Sequence, residues 1–156
     1  MLKILELNTR LYISKNDVFD TTTHHANHQL QQLGLKATAK VYVCFDVFNI
    51  AEQELQQAIN SVFTDPVTEN CLTSLPNHQE NLAIEYLPGQ FDLRADSAMQ
   101  CCQLLFGHNN VKVQTSLVYG LDGLQEVDLK LIKKHFINNV DSRKKNLEIL
   151  ISSKIY

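Results

Sequence analysis

The sequence FDTTTHHANHQLQQL at residues 19–33 recurs in outline as FDLRADSAMQCCQLL at residues 91–105. Both copies begin with a Phe-Asp pair, and their apolar positions share the spacing i, i+4 and i+7: Ala26, Leu30 and Leu33 in the first copy, and Ala98, Cys102 and Leu105 in the second. Apolar residues at this spacing form one face of an α-helix. Gly34 and Gly107 follow the copies, and glycine readily ends a helix because it tolerates the left-handed conformation. The sequence therefore predicts an equivalent helix in each copy.

The repeat extends on both sides of these helices. An apolar stretch precedes each helix, at 11–13 and 82–84, and a β-branched, aromatic-rich stretch follows, at 41–48 and 111–119. Such stretches are typical of strands that are buried over part of their length. A second amphipathic segment comes next in each half. Four helices are predicted in all: 21–33, 50–63, 93–106 and 123–136.

The second helix of each half has its own start signal. Asn49 with Glu52 forms a capping-box pattern, and Asp122 with Gln125 repeats it 73 residues later. Related segments then end the two halves: DPVTE at 65–69 and NNVDS at 138–142. Because all of these features recur at nearly the same offset along the chain, they indicate an internal duplication.

The duplication predicts the organisation of the whole chain. The predicted fold class is α+β, a single domain in which two β-α-β-α(-β) units pack as a pseudo-dimer with an antiparallel sheet and four main helices. The predicted parts are half-repeats 9–72 and 82–146, a polar junction 73–81, and a tail 147–156 without an assigned role. A unit of about 70 residues has a small core and an exposed sheet edge, so fusing two copies lets each cover the other.

Composition restricts the classes of partner and compartment. The chain has 156 residues, of which 44% are apolar and 20% charged, with a net charge of −3. That balance is typical of a globular protein. Nucleic acid is not an expected partner, because the net charge is negative and the only dense basic run is 143–145. The first 15 residues carry charges every few positions, so neither a signal peptide nor a membrane span is expected there. Four cysteines without a C-x-x-C pair predict reduced thiols in a cytoplasmic protein: Cys44, Cys71, Cys101 and Cys102.

No constellation for catalysis or metal binding stands out in the sequence. Cys101 and Cys102 fall in the middle of a predicted helix, without the turn that exposes a nucleophile. The five glycines do not form a phosphate-binding loop. His24 and His28 have the i, i+4 spacing of metal ligands, but neither a glutamate beside them nor a third ligand is evident, so a solvated helix face is the prediction. Catalytic and metal-binding residues are therefore predicted to be absent.

Six residues are candidates for contacts with a substrate or a partner: Gln90, Asp92, Arg94, Asp96, Ser142 and Arg143. Asp92 and Asp96 lie in the first turn of a predicted helix, where acidic residues complement the helix dipole. Arg94 lies in the same turn, where a cation opposes the dipole, and Thr22 takes its place in the first half. Because its local energetics are neutral to unfavourable, Arg94 is predicted to be exposed and to meet a group outside the chain.

Three segments carry a family resemblance: VCFDVFNI at 43–50, YLPGQFDLRADSA at 86–98, and NVDSR at 139–143. Together they resemble the N-terminal domain of the large, single-chain form of phosphoribosylformylglycinamidine synthase, also called formylglycinamide ribonucleotide amidotransferase. The resemblance spans about residues 9–146. The chain departs from the family at Leu93, where the family has glutamine, and at Asn139, where it has proline.

The resemblance implies a non-catalytic role. The complete enzyme converts formylglycinamide ribonucleotide to formylglycinamidine ribonucleotide with ATP, Mg and glutamine. No site for ATP, Mg or glutamine is expected in this chain. The domain is similar to a fused pair of small accessory subunits, which join the synthetase and glutaminase parts. Those two parts are the expected partners, with a homodimer of the isolated chain as a further expected assembly. A rival interpretation is a small-ligand-sensing regulatory module, because paired β-α-β units also form such domains.

Overall fold

The structure is a computed structural model that describes residues 6–150. Six strands run through these residues: β1 (Glu6–Lys15), β2 (Thr38–Ala51), β3 (Glu69–Leu72), β4 (Glu80–Tyr86), β5 (Lys112–Asp122) and β6 (Ser142–Lys145). Four α-helices connect them: α1 (Thr21–Gln32), α2 (Glu52–Ala58, continued by a π-helical turn over Ile59–Phe63), α3 (Leu93–Phe106) and α4 (Asp128–Phe136). The predicted α+β class, with an antiparallel sheet and four main helices, is confirmed.

The sheet repeats the symmetry of the sequence. Its strand order is β3-β1-β2-β5-β4-β6, so equivalent strands lie at equal distances on either side of the centre. At the centre β2 and β5 pair antiparallel, with Val43 opposite Leu117. The pattern of burial along residues 38–47 recurs along residues 112–121, an offset of 74 rather than 72. The offset grows because α3 is 14 residues long and α1 only 12.

Helices of the two halves contribute to the same apolar clusters. Ala26 and Leu30 of α1 share an apolar cluster with Ile132 of α4. Leu55 of α2 shares a second cluster with Cys102 of α3. Each half therefore buries apolar surface that the other half would leave exposed to water. Burial of apolar surface is the dominant favourable term in folding.

The first helix of each half begins where the sequence predicts. Asp20 accepts a hydrogen bond from the Thr23 N–H at 3.1 Å, and Asp92 accepts one from the Ala95 N–H at 3.0 Å. An N-cap carboxylate satisfies backbone donors that have no partner within the helix. The helices predicted over 21–33 and 93–106 are thus confirmed to within a residue.

The predicted start of the second helix in the first half is wrong. Asn49 lies in β2, in the left-handed conformation with φ of 61°. It belongs to a β-bulge, because Leu7 pairs with Ile50 but Thr9 pairs with Val47. Asparagine tolerates this conformation better than most residues, so its residue type suits the bulge as well as a cap.

The capping interaction lies two to three residues further along in each half. Helix α2 begins at Glu52, and the Glu54 carboxylate accepts a hydrogen bond from the Ala51 N–H at 3.1 Å. In the second half Asp122 is a strand residue, and Asp128 accepts from the Gln125 N–H at 2.8 Å. The helices predicted over 50–63 and 123–136 therefore exist but start later, at 52 and 128.

Among residues 6–150, no helix packs on the second face of the sheet, which we call the helix-free face. A smaller apolar cluster lies there, made of Tyr12, Tyr42, Cys44, Ala83 and Val118, with Leu75 and Leu147 packed against it. Leu75 belongs to the segment predicted as a polar junction. Leu147 belongs to the tail, of which residues 151–156 lie outside the described part of the chain. The junction and the start of the tail thus cover part of this face.

Candidate functional site

The loop between β4 and α3 opens a cleft of about 380 Å³ where β4 ends and β5 begins. It lies beside the first residues of β5, where the shorter β4 has already ended. The lining includes three of the predicted candidates, Gln90, Asp92 and Asp96, together with Met99, Lys112 and Val113. The structure therefore brings half of the candidates into one site.

Asp92 holds the floor of the cleft in place. Besides capping α3, its carboxylate accepts hydrogen bonds from the Thr115 backbone N–H at 2.9 Å and from the Thr115 hydroxyl at 2.8 Å. These bonds tie the helix start to the edge of β5. All of the polar contacts that the structure gives to Asp92 are internal, so its role in the site is to position α3.

Gln90 and Asp96 both line the cleft. Gln90 is exposed and ends a turn that is closed by a hydrogen bond from its N–H to the Leu87 carbonyl at 3.1 Å. Gly89 makes this turn possible with φ of 90°, which a residue bearing a side chain rarely adopts. Asp96 accepts a hydrogen bond from the Gln100 side chain at 2.8 Å. Both side chains can therefore reach a ligand without breaking the fold.

Arg94 points to a different surface on the other side of α3. It borders a shallow, open depression of about 520 Å³ with Tyr86, Leu93 and Cys101. Leu93 is 65% exposed and Tyr86 is 45% exposed. Within residues 6–150 the guanidinium of Arg94 makes no ion pair or hydrogen bond, and the side chain is exposed, as predicted. We call these four residues the Arg94 surface: Tyr86, Leu93, Arg94 and Cys101.

Ser142 and Arg143 do not reach the cleft. The Ser142 hydroxyl accepts a hydrogen bond from the Asn138 N–H at 3.1 Å and closes the turn before β6. The Arg143 guanidinium donates to Glu85 at 2.7 Å across the β4–β6 pair. Each residue thus has an internal partner that accounts for its position.

A buried charge network on the helix-free face was not predicted from the sequence. Asp46 is fully buried, and its carboxylate accepts hydrogen bonds from Arg10 Nε at 2.6 Å and from Lys145 Nζ. Lys145 also lies 3.7 Å from Glu85. The signal was available in the run VCFDVF, because a carboxylate inside an apolar strand requires a buried cation. Its partners were not predictable, since they come from opposite ends of the chain.

The electrostatics of this network are those of a structural site. Burial opposes the charge on Arg10, but the adjacent Asp46 carboxylate outweighs it and raises the pKa of Arg10 above its ordinary value. Burial, reinforced by the charge of Asp46, raises the pKa of the Cys44 thiol to about 12. A thiol with such a pKa stays protonated and is a poor nucleophile. The network therefore holds charges in pairs and does not activate Cys44.

The comparisons with known proteins add no relative. No protein-family model, no curated protein and no solved structure matches the chain. Among the described residues no helix is long and apolar enough to cross a bilayer. The same residues contain no group of three or more His, Cys, Asp or Glu side chains arranged to hold a metal ion. His24 of the predicted histidine face lies 3.1 Å from the Asp17 carbonyl.

Proposed function

We propose that the chain is a non-catalytic scaffold domain of phosphoribosylformylglycinamidine synthase, which joins the synthetase and glutaminase parts of that enzyme. The family resemblance at residues 86–98 suggests the parent enzyme. The symmetric sheet and the apolar clusters shared between the halves agree with the fused pair of accessory subunits that the resemblance implies. In this proposal ATP, Mg and glutamine bind to the other parts, in the cytoplasm.

The observation that carries the proposal is the Arg94 surface. Arginine and aromatic side chains are enriched in the residues that contribute most to binding between proteins. Here an unpaired guanidinium borders the same depression as Leu93 and Tyr86, which are 65% and 45% exposed. Their sequence, together with the preceding Pro-Gly turn, is the part of the chain with the strongest resemblance to the family. We expect this surface to contact a partner domain through one charged hydrogen bond surrounded by apolar contacts.

Measured affinity for the rest of the enzyme tests this assignment. The chain is titrated against a synthetase–glutaminase protein that lacks its own N-terminal domain, and the dissociation constant is measured by calorimetry. Arg94→Ala removes a charged hydrogen bond worth about 1–3 kcal/mol, so affinity should fall about 5- to 150-fold with an unchanged melting temperature. Lys134→Ala, at an exposed cation on α4, is the matched control and should bind normally. Equal affinity for the two variants would remove Arg94 from the interface.

The cleft beside β5 favours a second candidate, the ligand-sensing module. Its volume of about 380 Å³ falls within the range of small-molecule sites. A sensor is stabilised by its free ligand, by about 2.7 kcal/mol at a hundredfold excess over the dissociation constant. Thermal unfolding with purine nucleotides, glutamine and formylglycinamide ribonucleotide distinguishes the two functions, because a scaffold should show no such gain.

A further inference from the structure

The two halves differ at the edge of the strand that follows the first helix. In the first half the side-chain amide of Asn27 clasps the backbone of Ala39. Its Nδ2 donates to the Ala39 carbonyl at 2.9 Å, and its Oδ1 accepts from the Ala39 N–H at 2.8 Å. One carboxamide thus satisfies both polar groups of one strand residue, as a neighbouring strand would.

The second half has no such clasp at the equivalent position. Asn27 is the seventh residue after the N-cap Asp20, and Met99 is the seventh after the N-cap Asp92. Ala39 corresponds to Val113 by the matching burial patterns of β2 and β5. A thioether is at most a weak acceptor and donates no hydrogen bond, so Met99 cannot replace the amide.

The backbone of Val113 points into the cleft. The N–H of Thr115 donates to Asp92, away from β2, and strand residues two apart point their polar groups in the same direction. The pairing of β4 with β5 ends at Glu85 and Ser116, so β4 does not extend as far as Val113. Val113 is only 4% exposed and lines the cleft. A buried N–H and carbonyl are costly to leave without partners.

We propose that the cleft binds a carboxamide group, which takes at Val113 the place that Asn27 takes at Ala39. The ligand's amide nitrogen donates to the Val113 carbonyl, and its oxygen accepts from the Val113 N–H. Met99 is unbranched and flexible, so it can move aside and cover the carbons of the ligand. Asp96 and Lys112 place a carboxylate and an ammonium group at the rim. The proposal goes beyond the scaffold function and does not depend on it.

The carboxamide has two sources, a free amino acid with an amide side chain or an asparagine or glutamine of a partner segment. Two matched pairs of probes distinguish them. The free pair is L-asparagine and L-aspartate, and the peptide pair is acetyl-Ala-Asn-Ala-amide and acetyl-Ala-Asp-Ala-amide. The members of a pair differ only in carboxamide against carboxylate, so any difference in binding reports the amide.

The test follows the backbone amide resonances of Val113 and Ala39 in the full chain, by two-dimensional ¹⁵N–¹H NMR. An asparagine probe should shift the Val113 resonance saturably, whereas its aspartate counterpart should not. The Ala39 resonance should stay in place, because Asn27 already occupies that site. A response to the peptide alone assigns the site to a partner segment, and a response to free L-asparagine assigns it to an amino acid.

Two variants of Met99 complete the test. Met99→Asn supplies an internal carboxamide, so it should abolish the response to the asparagine probes and move the Val113 resonance even without a ligand. Met99→Leu keeps an apolar side chain and should retain the response. The proposal is overturned if neither asparagine probe shifts Val113, if the aspartate probes shift it equally, or if folded Met99→Asn responds like the original chain.

Discussion

At the scale of single residues, the most consequential feature is the carboxylate of Asp46 in the central pair of strands. It has no contact with water, and both of its cationic partners are at least nine-tenths buried at their side chains. A buried ion pair is stable only while both charges are present, since each alone keeps the cost of leaving water. Asp46 therefore links β1, through Arg10, and β6, through Lys145, to the central strand β2.

Asp46→Asn should destabilise the chain by about 3–5 kcal/mol, because it leaves Arg10 and Lys145 buried without a counter-charge. Urea unfolding followed by circular dichroism gives the free energy directly. Asp17→Asn is the matched control: the Asp17 side chain is 98% exposed and should contribute less than about 1 kcal/mol. A loss of similar size in both variants would show that the network contributes little.

The thiols should differ sharply in reactivity. Cys101 is exposed on α3, whereas Cys44 is buried, and burial raises its pKa to about 12. Cys102 is also buried, and burial raises its pKa to about 11. Because the thiolate is the reactive form, iodoacetamide at pH 8 should modify Cys101 first and leave the other two unmodified while the chain is folded. Peptide mass spectrometry identifies the sites, and early labelling of Cys44 would contradict the described packing.

At the scale of elements, α1 and α3 were predictable because their signals are local. Asp20 and Asp92 cap them, and Gly34 and Gly107 end them with φ of 78° and 76°. The start of α2 was not predictable, because the bulge at Asn49 depends on the register between β1 and β2. A local sequence pattern does not contain that register. Of the candidate residues, Gln90, Asp92 and Asp96 line one cleft, whereas their neighbour Arg94 lies on a different surface. The Asn27 clasp and the Asp46 network join residues 12 to 99 positions apart and were missed.

The segment predicted as a polar junction is docked on β5 through His78. Its ring nitrogens lie 2.7 Å from the Asp122 carboxylate and 2.7 Å from the Tyr42 hydroxyl. Gly120 leaves room for the ring, since a Cβ added there would lie 2.7 Å from His78 Cγ and closer still to other ring atoms. The absence of a side chain at Gly120 thus allows His78 to dock against β5.

Gly120→Ala should therefore destabilise the chain by about 1–3 kcal/mol, the usual cost of forcing an extra methyl group into a packed site. The loss should shrink in the double variant with His78→Ala, where the methyl group no longer meets the ring. Thermal unfolding of the four proteins gives this coupling energy. Additive losses would mean that His78 does not occupy the space above Gly120.

At the scale of the whole molecule, each helix-facing apolar cluster contains residues of both halves. Residues of α1 and α4 share one cluster and residues of α2 and α3 share the other, so separation of the halves would expose both clusters. The duplication itself was predictable from the sequence. Equivalent positions in the two halves have equivalent burial, so they carry similar apolar patterns. One asymmetry was also visible in the sequence, since Thr22 stands in the first half where Arg94 stands in the second. The different lining of the clefts in the two halves was not predicted.

As a scaffold, this chain should join the synthetase and glutaminase parts and perform no chemistry itself. Sedimentation velocity of separately prepared synthetase and glutaminase parts, with and without the chain, is the decisive measurement. We expect the two parts to sediment apart alone and to form one larger complex when the chain is added. We also expect the chain by itself to hydrolyse neither ATP nor glutamine. If the parts sediment identically with and without the chain, or if the chain alone shows turnover, the scaffold function is wrong.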